Sequence, residues 1–150
     1  MRAVGSLCLQ LFGEGNCPEI KDEIKVIASE DIKKMDWRNP PEFSLYGWYY
    51  ATQVMFQSGG RNWTPWNRKF QTMLTKNQNA EGFWKYPNLH EGVAKYLGGT
   101  LGERVYATTL AALMLTVYYR YLPSSKSVNI LTKKTKKKDP MEEEGLNLID

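Results

Sequence analysis

The chain has 150 residues, which allows one domain or a piece of one. Hydrophobic residues make up 42% and aromatics 13%, enough for a real core, and two cysteines (Cys8, Cys17) exclude a disulfide-rich scaffold. Of the net charge of +4, six lysines against five acids after Pro123 leave +1 there, so +3 is spread over the body and nucleic acid is not expected as a partner.

Residues 2–12 read as a first helix, apolar on most sides and interrupted only by Gln10, with Gly13 and Gly15 ending it. A buried helix suits this stretch better than a short signal peptide, and Cys8 in it reads as a small buried hydrophobe. Pro18 suits a first helical position, and Ile20, Ile24 and Ile27 then line one face of an amphipathic second helix. After Asn39-Pro40-Pro41 a third helix, about Leu45 to Gln57, is again apolar on most sides and stops at Gly59-Gly60. Thr64-Pro65 signals the start of a fourth, in which Trp66, Phe70 and Leu74 recur every four residues and lead to Gln78. A long connection from Asn79 to about Gly102 precedes the fifth helix, about Glu103 to Tyr121, which Pro123 ends. No apolar run approaches the ~20 residues of a membrane span.

The order is apolar, amphipathic, apolar, amphipathic, apolar, with no clear strand signal. Two layers of helices write such a pattern, the inner ones covered all round and the outer ones wet on one face. Tyr50-Ala51-Thr52 in the third helix recurs as Tyr106-Ala107-Thr108 in the fifth, which points to an internal repeat. From Ser124 to Asp150 there is a lysine cluster, then Glu142-Glu143-Glu144, and no aromatic residue. This composition predicts a disordered charged tail at 124–150, after a domain spanning 1–123.

The stretch that organises the rest runs from Leu74 through Gln78, Gly82 and Trp84. The apolar stripe ends in a glutamine, a glycine free to take positive φ turns the chain, and a tryptophan follows to fold back over the helix end. The glutamine amide can serve orphan backbone groups there, with the indole shielding it from water. This pattern resembles the QW repeat of squalene and hopene cyclases. The layered helices resemble the wider prenyltransferase and squalene-cyclase repeat class. The stretches 45–53, 104–109 and 118–123 are similar to a bacterial branch of it. Met73 stands where that repeat has an aromatic, and Lys69 or Phe70 where it has a small residue.

The resemblance implies an all-α fold of layered helical hairpins, a partial α/α toroid. Five helices fall short of a full ring, so the chain is expected to be a fragment, a domain of something longer, or a part completed by another copy. The family's catalytic devices are not matched in this sequence. There is no Asp-x-Asp-Asp or Asp-Asp-x-x-Asp, and Asp22, Asp31 and Asp36 are isolated. His90 is the only histidine, which leaves no zinc set, and neither cysteine lies in a thioester run. His90 beside Glu91 reads as an exposed loop pair.

The expected function is therefore a non-catalytic repeat domain for binding or scaffolding, with no metal and no cofactor. The alternatives are a fragment of a cyclase-like or prenyltransferase-like enzyme whose catalytic motif lies elsewhere, or a module for an apolar or isoprenoid ligand. In that last case Trp48, Tyr49, Tyr50 and Tyr106 would line a concave pocket, with Tyr118 and Tyr119 as further aromatics. Leu74, Gln78, Gly82 and Trp84 are assigned to structure. Self-association, or pairing with missing hairpins, is expected through Val4, Leu7 and Leu11 or through Leu113 and Val117. No compartment is read from the sequence.

Overall fold

The computed structural model describes residues 2–41, 44–85 and 95–121. Among them every regular element is helical, and the fold is all-α. The backbone separates into two units, Met1–Tyr118 and Tyr119–Asp150, and the buried core belongs to the first. The charged stretch 124–150, and His90 with Glu91, lie outside the described residues.

Helix α1 (Arg2–Leu11) ends where Gly13 takes a φ of 90°. Helix α2 (Pro18–Val26) opens on its proline as expected and buries Ile20 and Ile24. It then widens into one π turn, Ile27–Asp31, before a short α3 (Ile32–Lys34). The Ile32 N–H bonds the Ile27 carbonyl, five residues back, which is the π signature. The wide turn absorbs one residue, so the apolar stripe passes from Ile27 to Ile32 and on to buried Met35.

Helix α4 (Ser44–Ser58) is the centre of the unit. It touches α1, α2 and α5 (Gly60–Asn77), as well as α6 (Thr100–Leu115). Consecutive burial of Ala51, Thr52, Gln53, Val54 and Met55 is possible only when a helix has neighbours on every side. The cover expected for the third helix is therefore present over its second half, whereas Tyr46 and Gly47 in the first half are exposed. Gln10, which breaks the apolar run of α1, ties that helix to the centre: its Nε2 donates to the Val54 carbonyl at 3.2 Å and the Ser58 hydroxyl at 3.0 Å.

Helix α5 (Gly60–Asn77) starts earlier than Thr64-Pro65 suggested. Gly59 caps it with a φ of 62°, and Pro65 lies inside it. The proline is tolerated because it and Arg61, whose carbonyl loses a donor, are both on the wet side. Trp66, Phe70, Met73 and Leu74 form its buried stripe. Helix α6 likewise starts at Thr100 rather than Glu103, after the positive-φ pair Gly98 and Gly99. It breaks at Thr116 (φ −92°, ψ 7°) and the chain resumes as α7 (Val117–Tyr121).

The first and fifth helices are not covered all round. Helix α1 buries only Ser6 and Leu7 and leaves Leu11 56% and Phe12 84% exposed; α6 leaves Leu101 73% and Val105 58% exposed. Each packs along one side, α1 on α2 and α4, and α6 on α4. Cys8 is accordingly exposed, not buried, because the core-facing row of α1 runs through Leu7 instead. Leu7 and Val117, expected at an interface with another copy, are both buried inside this chain, so neither can face a partner without unfolding.

Candidate functional site

The fastening stretch folds as a knot over the end of α5. Asn79 closes it: its Oδ1 accepts from the Glu81 and Phe83 N–H groups at 2.9 and 3.2 Å, and its carbonyl accepts from Gly82 N–H at 3.0 Å. Gly82 holds a φ of 89°, which a side chain would resist. Trp84 comes back over the helix, and its indole N–H donates to the Leu74 carbonyl at 2.8 Å, completing one of the four acceptors a helix end leaves open. Gln78 is exposed, and its amide donates to the Gly82 carbonyl at 2.8 Å, within the loop. The two residues thus have roles different from those expected. The indole caps the helix, and the glutamine braces the turn.

The loop is also tied to α6. The Trp84 backbone N–H donates to Thr108 Oγ1 at 3.1 Å, and the Arg104 guanidinium sits 4.5 Å from the centre of the Phe83 ring. Thr108 belongs to the second Tyr-Ala-Thr triplet. In the first, Thr52 Oγ1 accepts the Trp66 indole N–H at 3.0 Å, with both residues wholly buried. The two triplets therefore share a pattern. Threonine receives a tryptophan N–H, and the alanines, Ala51 and Ala107, are buried.

The tyrosines of the two triplets meet at one cavity. Tyr50, Tyr106, Trp48 and Trp66 line a cleft of about 810 Å³ among α1, α4 and α6. Three of the four expected pocket residues are on its wall, and Tyr49 is not; its ring packs edge-on against Tyr50, 4.9 Å between centres. Tyr118 is elsewhere, in an edge-to-face cluster with Phe56 and Trp63 and in hydrogen bonds with Gln71 and Asn67. Tyr119 is exposed.

Isolated in sequence, four charged side chains also border the cleft: Arg2, Glu23, Asp31 and Lys34. Sequence reading missed them as a group because ordinary helical spacing does not align Glu23 with Asp31. The five-residue step from Ile27 to Ile32 was the available signal. Arg2 Nε stands 3.4 Å from Glu23 Oε1, near enough for an ion pair. It is not aimed for a hydrogen bond, and that buried oxygen keeps its acceptor capacity. The Tyr46 and Tyr50 hydroxyls share a hydrogen bond at 3.2 Å. This bond, then burial and the neighbouring phenols, push the Tyr50 phenol up to about 12, so it stays neutral at any ordinary pH.

Among the described residues no three His, Cys, Asp or Glu side chains gather as a metal set, and no helix is long and apolar enough to cross a membrane. Comparison with known families, curated proteins and solved structures gives no match.

Proposed function

We propose that this domain is a non-catalytic binding module that takes an apolar ligand into the cleft, built as part of an α/α toroid of the terpenoid-cyclase-like repeat class. One observation carries the reading. Trp48, Tyr50 and Tyr106, from two helices that share a sequence repeat, converge on a single cleft whose volume of about 810 Å³ suits a small molecule. The recurring Tyr-Ala-Thr triplet and the placement of α4 between its neighbours support the repeat class, although Gln78 and Trp84 hold roles other than the motif implied. Titration with farnesol or squalene should quench the tryptophan fluorescence, and Tyr106→Ala should weaken the effect. An unchanged signal across both ligands overturns the reading.

The charged wall favours one rival, an enzyme fragment completed by a catalytic motif outside this chain. Incubation with squalene or a prenyl diphosphate separates the two. The binding module returns the compound unchanged, whereas turnover abolished by Asp31→Asn would establish the enzyme.

A further inference from the structure

The geometry points to a cationic head group on the ligand: an ammonium held by Glu23 and Asp31, with its apolar body over Trp48, Tyr50 and Tyr106. This rests on the binding reading above and adds to it the chemistry of the polar end.

The π turn is what assembles the site. In an uninterrupted α-helix, residues eight apart are ~80° apart around the axis, at opposite edges of one face. The extra residue in Ile27–Asp31 narrows that difference, and both residues line the cleft. Single π turns of this kind occur frequently at functional sites.

The four charges on the wall are not equivalent. Glu23 is the sheltered one, its side chain 17% exposed, whereas its partner Arg2 is 62% exposed. Asp31 is half-buried and, among the described residues, in no ion pair; Lys34 is exposed. Charges near a low-dielectric wall act more strongly than charges screened by solvent, so Glu23, even with Arg2 3.4 Å away, and the half-buried Asp31 weigh more toward the cleft than the more exposed Arg2 and Lys34. The faces of Trp48, Tyr50 and Tyr106 attract cations as well. An ammonium therefore meets carboxylate and ring together, and an anionic head meets carboxylate first.

Three probes of one chain length test this by calorimetry at neutral pH, below the micellar concentrations of decyltrimethylammonium and decanoate and below the solubility limit of decanol. The ammonium should bind about tenfold more tightly than decanol, with decanoate weaker still. Asp31→Asn and Glu23→Gln should each erase most of that advantage while leaving decanol affinity unchanged, which also reports an intact cleft. Decanol bound as tightly as the ammonium overturns the head-group inference and leaves the binding reading standing. Preference for decanoate overturns it too, in favour of Arg2 and Lys34. Variants that lose decanol along with the ammonium show that the carboxylates hold the wall and not the ligand, and the inference fails. Binding of none of the probes overturns the head-group inference, and the binding reading falls with it only if farnesol and squalene also leave the fluorescence unchanged.

Discussion

Replacing Trp84 by phenylalanine keeps a ring over the end of α5 but deletes the one donor that reaches the Leu74 carbonyl. Trp84 is 5% exposed, so water cannot readily take the vacated place. Leaving a buried acceptor unpaired costs about 1–3 kcal/mol. The smaller ring gives up apolar area and leaves a void, worth about another 1 kcal/mol. The sum, roughly 2–4 kcal/mol, is a large share of the about 5–15 kcal/mol that holds a domain folded. Gln78→Ala also removes one hydrogen bond, yet in an exposed loop where water replaces it, and should cost no more than about 1 kcal/mol. Urea denaturation followed by far-UV circular dichroism measures both variants, with the slope expected to stay constant and only the midpoint to move. A Gln78→Ala variant less stable than Trp84→Phe would show that the glutamine, not the indole, fastens the helix.

Thr52→Val leaves the buried Trp66 indole N–H without its acceptor and should destabilise by about 1–3 kcal/mol, whereas Thr52→Ser should recover much of it; thermal melts compare them. Gly102→Ala should be severe, since a Cβ there would fall 1.6 Å from the Leu97 carbonyl oxygen, and expression yield with circular dichroism will show whether α6 can start at all. The raised Tyr50 phenol sets an alkaline limit. Its contribution is fully present below the ordinary value of 10.0 and is lost as pH rises through about 12, because only the unfolded chain ionises easily in that window. Stability measured across that range should fall more steeply in the native protein than in Tyr50→Phe.

The sequence disclosed its structure wherever a single period governed it. The Trp66, Phe70, Leu74 spacing is the buried row of α5, and the mostly apolar 45–57 matches the burial of α4 on every side over Ala51–Met55. Reading failed where two signals competed. Thr64-Pro65 is a sound helix start, but Gly59 and Gly60, both at positive φ, place the start earlier and the proline is carried inside. Cys8 looked buried because every neighbour is apolar, whereas α1 has companions on one side only. The aromatic wall of the cleft was visible in the sequence, but its charged wall was not, because a turn of unusual width shifts the register between Glu23 and Asp31. Composition also says that Gln78 and Trp84 belong together without saying which of them reaches the helix.

The central place of α4 has a consequence for synthesis on the ribosome. Helix α1 is made before both helices it packs on, α2 and α4, and the Ser58 hydroxyl that receives Gln10 is 48 residues further along. At about 5–20 residues per second, α1 waits about 2–10 s for the α4 surface to emerge. Through that interval α1 has only α2 to pack on, and Leu9, Leu11 and Phe12 stay exposed even after it docks on α4. Helix α1 thus carries exposed apolar side chains for several seconds before its main contact, on α4, is complete.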